Sequence, residues 1–326
     1  MRFITRRVGF YVITAWIAIT VNFFIPRLMP GNPVELVFNR VRHSVSPAAL
    51  HSFTVAFGLD NHQSLLTQYF AYLGQLLHGN LGISITFFPA TVSSVIRAAL
   101  PWTLALVGVA TVLSFVLGTL LGIVAATRRG TWVDSLLPVT AFLSAVPYFW
   151  LGLVALTIFA VQLGWFPLSG GYDPSVNVSL SWPFLSSAID HAVLPALTII
   201  VSSIAGWLLG MRNVMISTLG EDYVLLADAK GLPRRRVTFS YAARNALLPN
   251  MAGFALSLGF IVSGAILTEV VFSYPGMGYV LFEAVSNEDY PLMQGIFLMI
   301  TILVLLANLF ADVIYVALDP RTREAG

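Results

Sequence analysis

The side chains that could do chemistry in this chain are few, and most of the charged ones fall in one stretch. Residues 221–250 read EDYVLLADAKGLPRRRVTFSYAARNALLPN, with Lys230, the only lysine, and the only run of three arginines, Arg234 to Arg236. Lys230 stands in AKGL and not in a glycine-rich phosphate loop, so the chain has no P-loop. A strongly hydrophobic chain that concentrates its charge in one internal loop is expected to contact a soluble partner through that loop.

Other chemistry finds little support in the sequence. There is no cysteine, which excludes disulfides, thiol catalysis and cysteine metal sites. No GxSxG or HExxH motif is present, and we find no catalytic pair. The spacing of His43, His51, His62 and His78 fits no compact metal site, so solvated or interfacial histidines are favoured over a metal role.

Acids inside membrane spans are the first place to look for ion coupling. The two candidates are Glu269 and Asp312, and both are predicted to lie near the ends of their spans. A proton-coupled carrier usually needs a deeper ionisable residue, which weakens that interpretation. For Glu269 we favour a structural hydrogen-bonding role over a gate or a substrate contact.

The elements that position these residues are predicted to be membrane helices. The chain is 57% hydrophobic and 10% charged, with mean hydropathy +0.84, whereas soluble domains carry about 25% charged residues. The first apolar run is too long for a cleaved signal peptide, and Arg6 and Arg7 are interpreted as anchoring charges and not as an export signal. The predicted spans are six, at residues 9–28, 100–126, 135–163, 192–217, 246–271 and 292–316.

Positive charge orients these spans. With the N-terminus inside, four of the 17 Lys and Arg residues lie outside, namely Arg27, Arg40, Arg42 and Arg97, and the other 13 lie inside. The fold class predicted is therefore an all-α polytopic membrane protein with six transmembrane helices and both termini cytoplasmic. Its predicted divisions are 1–28 (start and first helix), 29–97 (extracytoplasmic segment with short amphipathic helices), 98–318 (five-helix core with cytoplasmic loop 217–245) and 319–326 (cytoplasmic tail).

The outer loop at residues 164–190 is rich in glycine, proline, serine and aromatic residues. Its aromatic side chains are typical of a belt at the membrane interface. The alternative is that they stack on a substrate near the outer mouth. The aromatic residues concerned are Trp165, Phe166, Tyr172, Trp182 and Phe184.

Within the charged stretch, local signals predict a short helix from Asp222 to Lys230. Thr218 and Glu221 have the spacing of a capping box, and Asp222 adds negative charge where the helix dipole favours it. Gly231 suits the position after the helix, and Pro233 prevents continuation. A second helix is predicted from Arg234 through Arg244. The alternative is an ordinary solvated loop that carries inside-positive charge.

AKGLPRRRVTFSYAARNALLP, at residues 229–249, resembles the cytoplasmic loop of ABC importer permeases of the dipeptide/oligopeptide family, in their first-subunit form. RLMPGNPVE (27–35), TEVVFSYPGMGYVLFEAVSNEDYPLMQG (268–295) and NLFADVIYVALDPRTR (308–323) resemble further signatures of that family. There are departures: Leu225-Leu226-Ala227 stands at the family's Glu-Ala-Ala triplet, Asp228 stands where arginine is common, and Asn32 replaces an aspartate.

The resemblance implies the ABC type I importer permease fold, in which two permease chains form the pathway. It implies a homologous second permease, two cytoplasmic ABC ATPase subunits and an extracytoplasmic substrate-binding protein as partners, in a bacterial or archaeal plasma membrane. ATP and Mg would bind the partner subunits, and no cofactor would bind this chain. The expected ATPase-coupling residues are Glu221, Asp222, Tyr223, Ala227, Asp228, Ala229, Lys230, Gly231, Arg234 and Arg235.

Residues that could line a pathway or an outer gate are Glu269, Phe272, Tyr274 and Trp165. Di- or oligopeptides are the substrates that the resemblance favours. Cello-oligosaccharides, other sugars and nickel remain alternatives, because relatives carry them. Two other classes stay open on the residues alone: a self-sufficient ion-coupled carrier, and a membrane-embedded enzyme.

Overall fold

The computed structural model describes residues 2–28, 64–259, 261 and 265–318. Several sequence predictions fall outside the described residues. They are the turn at PGNP, the helix after Ser46-Pro47, three of the four outer histidines (His43, His51 and His62) and the C-terminal tail. The side chain of Asp312 lies outside them too. Within the described ranges the chain is helical and has no named strand, only an isolated bridge between Ile83 and Thr91.

The helices, in chain order, are α1 (Arg2–Leu28), α2 (Leu65–Leu77), α3 (Val92–Thr127), α4 (Trp132–Ala145), α5 (Tyr148–Ala155), a first π segment (Leu156–Gln162), α6 (Trp182–Leu219), α7 (Asp222–Ala229), α8 (Arg234–Arg236), a second π segment (Val237–Ala243), α9 (Arg244–Gly259), α10 (Ile266–Val271), α11 (Met277–Ser286) and α12 (Tyr290–Leu318).

Three helices of the described part are long and apolar enough to cross a membrane: α3, α6 and the 290–309 part of α12. A fourth span results if the pair 137–145 and 148–162 is counted as one. A shorter apolar helix covers Gly9–Ile25. The chain is therefore a multi-pass membrane protein whose described part is mostly helical, while the count of six and the orientation of the termini stay predictions.

The predicted third span is not a straight rod. Its two halves are bent by 96° at a break between Ala145 and Tyr148. Pro147 lies in this break, and proline disfavours the α conformation for the residue before it, here Val146. Because the residues on both sides of the break are apolar, hydropathy alone predicts one continuous span and does not detect the break.

The predicted fourth span was too short at its outer end. Helix α6 begins at Trp182, ten residues before the predicted start at residue 192, and it runs for 38 residues without a break at Gly206, Gly210 or Arg212. The outer loop consequently ends at Ser181 and not at residue 190. Two polar side chains near its start bond to the backbone of the same helix: the Ser186 hydroxyl donates to the Pro183 carbonyl at 3.1 Å, and Nδ1 of His191 lies 2.8 Å from the Ser187 carbonyl oxygen.

The described residues fall into two compact units. The first combines residues 1–103 with 275–305. In this unit Asn22 of α1 donates to the Gln294 carbonyl at 2.8 Å, and the Thr20 and Tyr69 hydroxyls are 2.7 Å apart. These bonds attach α1 to α2 and α12.

The second unit combines residues 104–274 with 306–326 and contains the charged stretch. Its helices α3 and α6 cross closely at Gly118 and Gly122. A Cβ on Gly122 would lie 2.6 Å from the Leu208 carbonyl oxygen, and one on Gly118 would lie 2.7 Å from that of Ile204. Glycine is required at both positions because the backbone of α6 occupies the space of a side chain.

Candidate functional site

Helix α7 occupies the middle of the charged stretch, as predicted, but the capping box is wrong. Thr218 lies inside α6, and its hydroxyl donates to the Val214 carbonyl at 2.9 Å. Glu221 is the N-cap residue instead, with extended backbone and no side-chain capping bond. Asp222 is in the first turn as expected, where its charge complements the helix dipole.

The end of α7 confirms the predicted role of Gly231. Its φ is +74°, in the left-handed region, and its N–H donates to the Asp228 carbonyl at 2.9 Å. The N–H of Leu232 reaches the Ala227 carbonyl at 3.4 Å. These two bonds form a Schellman motif, which stops the helix and satisfies its last carbonyls.

The inner face of α7 packs on an apolar cluster built from four other elements, called here the α7 cluster. Val224 and Ala227 are its α7 members, at 2% and 3% exposure. The other buried members are Ile123, Ala126, Met211, Met215, Val237, Ala242, Ala243 and Ala246. The alternative of an ordinary solvated loop is therefore wrong, because one face of α7 is buried against the ends of α3, α6 and α9 and the second π segment.

A polar contact adds to this packing. The side-chain amide of Asn245, at the start of α9, donates to the Tyr223 hydroxyl at 2.8 Å. Tyr223 is 39% exposed, so the bond lies at the edge of the α7 cluster. It connects the first turn of α7 directly to the helix after the second π segment.

The opposite face of α7 is exposed and carries large apolar side chains. Leu225 is 54% exposed and Leu226 is 57% exposed, beside the exposed charges of Asp222, Asp228 and Lys230. Ala229, Arg234 and Arg235 are exposed as well. Contiguous exposed apolar side chains with a polar rim mark a surface that binds another protein or a membrane.

The four outer candidates do not form one surface. Glu269, Phe272 and Tyr274 are buried in their unit, at 1%, 3% and 2% exposure, whereas Trp165 is 67% exposed. The Gly170 N–H donates to the Phe272 carbonyl at 3.0 Å, which fastens the outer loop to the segment after α10. The buried positions suit a structural role for Glu269, and the exposure of Trp165 suits an interface belt.

The outer loop also contains a tight polar turn at Asp173. The Ser175 N–H donates to Oδ1 of Asp173 at 2.9 Å, and the Asp173 N–H donates to the Ser187 hydroxyl at 2.8 Å. The Ser175 bonds, with a smaller contribution from His191, lower the pKa of the Asp173 carboxyl. The carboxylate thus stabilises the turn within the loop, while the Asp173 backbone N–H attaches the loop to Ser187 of α6.

Sequence reasoning missed a buried polar link in the first unit. Asp289 has no exposed surface, and its carboxylate accepts bonds from the Ser84 hydroxyl, from the Thr86 N–H at 2.8 Å and from the Leu292 N–H at 3.1 Å. The last bond is an N-cap of α12. An aspartate directly before Tyr290-Pro291 at a helix start was the signal that could have found it.

The described residues form a multi-pass helical membrane protein with a short helix, α7, that is packed on one face and exposed on the other. The chain belongs to the family described as the binding-protein-dependent transport system inner membrane component, whose pattern matches residues 118–324. That match begins in α3 and includes α7 and the α7 cluster.

Known proteins similar to this chain are peptide permeases by name. It is 36% identical to the di/tripeptide transport system permease protein DppB of Pseudomonas aeruginosa (strain UCBPP-PA14), with 99% of each chain covered. It is 33% identical to the oligopeptide transport system permease protein AppB of Bacillus subtilis (strain 168), with 92% of each covered. It is also 33% identical to the dipeptide transport system permease protein DppB of Escherichia coli (strain K12), with 99% of each covered.

Proposed function

We propose that this chain is the permease subunit of an ATP-driven, binding-protein-dependent importer of di- or oligopeptides. The observation that carries the proposal is similarity over 92–99% of the chain to proteins named as peptide permeases, an extent that includes α7. A homologous second permease would complete the pathway, and a substrate-binding protein would deliver peptide at the outer face. The site of action is the bacterial inner membrane.

In this proposal ATP hydrolysis takes place on two separate ATPase subunits, which bind ATP and Mg. This chain contributes the exposed face of α7, residues Asp222 to Ala229, with the flanking Glu221, Lys230, Gly231, Arg234 and Arg235. Separate ATPase subunits are required in this proposal because the sequence has no P-loop of its own. The cytoplasmic position of α7, with six spans and both termini inside, is part of the same proposal.

The α7 cluster gives a physical route for the energy. Because α7 shares one packed cluster with the ends of α3, α6 and α9, pushing on α7 displaces those helix ends together. The Tyr223–Asn245 bond strengthens the connection to α9. ATPase closure would then act on the pathway as a concerted movement of these packed helix ends, without a chemical step in this chain.

The test is reconstitution in proteoliposomes with the second permease, both ATPase subunits and the binding protein. We expect uptake of a radiolabelled dipeptide that requires ATP and binding protein and survives an ionophore. Uptake by this chain alone that an ionophore abolishes would establish the ion-coupled carrier instead. A competing oligosaccharide or Ni²⁺ that displaces the dipeptide from the loaded binding protein would reassign the substrate and keep the importer class.

A further inference from the structure

A groove of about 540 Å³ runs beside α7 in the second unit. One wall is the face of α7 that carries Leu225 and Asp228. The rest of the lining comes from the ends of α3 and α6, from Arg129 in the turn after α3, and from Arg234 of α8 with the start of the second π segment. The groove is therefore not part of α7 alone, and Arg129 comes from a turn that the sequence did not assign to the site.

The floor and the rim of this groove differ in chemistry. Apolar side chains of the α7 cluster or next to it, such as Val224, Leu219 and Val237, form the floor. The rim carries two guanidinium groups and the Asp228 carboxylate, all exposed. Within the described ranges no ion pair joins Asp228 to either arginine, so these charges are open to a partner.

We propose that the ATPase subunit inserts an acidic segment with an apolar side chain into this groove, so that Arg129 and Arg234 help to select the ATPase. This inference rests on the proposed function, because it adds a second contact to the surface formed by α7. The acidic group would lie between the two arginines, and the apolar side chain would cover the floor beside Leu225. Asp228 would face a basic group of the same ATPase surface.

Charge complementarity favours a protein occupant over a phospholipid headgroup. The rim combines both signs of charge, so a protein surface that carries an acidic and a basic group matches all of it, whereas a phosphate alone would leave Asp228 without a partner. The groove also adjoins Leu225, half exposed on the face of α7 that is proposed to meet the ATPase. A mixed-charge rim around an apolar centre is the usual anatomy of a protein interface.

Two adjacent arginines provide the matched pair for the first test. Arg129 lines the groove and Arg128, also exposed, does not. In the assembled complex Arg129→Glu is expected to weaken ATPase association about fivefold, which is the scale of one exposed charge pair. Arg128→Glu is expected to leave it unchanged. Titration of labelled ATPase subunits onto permease in nanodiscs measures both, and equal effects of the two variants would overturn the proposal.

The absence of cysteine allows a second test on otherwise native chains. Thr127→Cys introduces a thiol on the groove, and Arg128→Cys introduces one beside it. We expect ATPase assembly to abolish most maleimide labelling of the Thr127→Cys thiol and to spare the Arg128→Cys thiol. Unchanged labelling of the Thr127→Cys thiol in the assembled complex would overturn the inference.

Nanodisc composition separates the remaining outcomes. If anionic lipid, without ATPase, protects the Thr127→Cys thiol and zwitterionic lipid does not, then the groove binds lipid headgroups and the proposal fails. If no ATPase subunit associates with the native chain in either lipid, then the proposed function itself fails. Association that is equally strong in native chain and Arg129→Glu rejects only the groove contact.

Discussion

Two short helices of the second unit end with the same hydrogen-bond pattern but meet opposite surroundings. After α7, Gly231 donates to Asp228 and Leu232 to Ala227; after α10, Ser273 donates to the Val270 carbonyl and Tyr274 to the Glu269 carbonyl. The residue in the left-handed region is Gly231 in one case (φ +74°) and Ser273 in the other (φ +48°).

The two turns differ in the packing of the segments next to them. After α10 the chain buries Phe272 and Tyr274 almost completely, and the Gly170 amide binds the same segment. After α7 the chain stays exposed at Gly231 and Pro233, and a Cβ on Gly231 would meet nothing within 4 Å. Tertiary packing can therefore hold a serine in a strained conformation at the turn after α10. The turn after α7 lacks such packing and depends on glycine itself.

The largest expected loss of stability comes from removing a buried side chain at the turn after α10. Tyr274→Ala removes a side chain that is 2% exposed and leaves a cavity, so we expect a loss of about 3 kcal/mol or more in stability. Thermal unfolding of the purified complex in detergent measures it. Trp165→Ala, which removes a residue that is 67% exposed, is the control and is expected to change little. Equal effects would contradict the assignment of these residues to interior and surface.

The next effect concerns the support of α7. Gly122→Ala places a Cβ 2.6 Å from the Leu208 carbonyl oxygen and 2.8 Å from the Met211 Cβ, so α3 and α6 must separate where the α7 cluster begins. We expect a loss of about 1–3 kcal/mol, as for other overpacked positions. Gly108→Ala, in the same helix with open space at the Cβ, is the matched control. A stable Gly122→Ala variant would show that the helix crossing can relax.

The turn after α7 should itself respond to Gly231→Val. A β-branched residue at φ +74° costs about 1–2 kcal/mol, which displaces or frays the end of α7. We expect reduced stimulation of ATPase activity by loaded binding protein in proteoliposomes, with assembly retained. Gly231→Asn is the control, since asparagine tolerates this conformation better. Undiminished stimulation and transport in Gly231→Val would remove the turn from the coupling route.

The smallest effect is expected for Ser273→Gly. Relief of left-handed strain favours the variant by about 1 kcal/mol, and the extra flexibility of glycine in the unfolded chain opposes it by a similar amount. The thermal midpoint should therefore hardly move. A clear loss would mean that the Ser273 side chain contributes a contact of its own, and the two turns would then differ in chemistry as well as in packing.

Apolar run length predicted both ends of α12 within two residues and the C-terminal ends of α1 and α3 within one. It placed the starts of α1, α3 and α6 seven to ten residues late, and it missed the bend in the third span. Hydropathy reports which residues suit lipid, whereas a helix continues wherever its backbone bonds are satisfied. Helix α6 therefore starts at Trp182 and includes Ser186, Ser187 and Asp190, which lie outside the apolar run. The bend at Pro147 can be predicted only from the local steric effect of proline, because hydropathy averaged over about 19 residues does not register a single residue.

The site was predictable where its signals are local. Gly231 and Pro233 mark the end of α7 in the sequence itself, and the structure has the same stop. The capping box failed because Thr218 had a competing partner, the Val214 carbonyl, one turn back in α6. Contacts between distant segments left no local signal: Tyr223 meets Asn245, and Asp289 meets Ser84 across 205 positions.

The length of α6 has a mechanical consequence. At 1.5 Å per residue its 38 residues extend for about 57 Å, whereas the hydrocarbon core of a bilayer is about 30 Å thick. One rod thus joins the outer loop at Trp182 to the linker before α7. Pivoting this rod by roughly 10° about its midpoint would swing each tip by about 5 Å in opposite directions. Under the proposed coupling, a displacement of the α7 end would thus be matched by one of similar size at the Trp182 end.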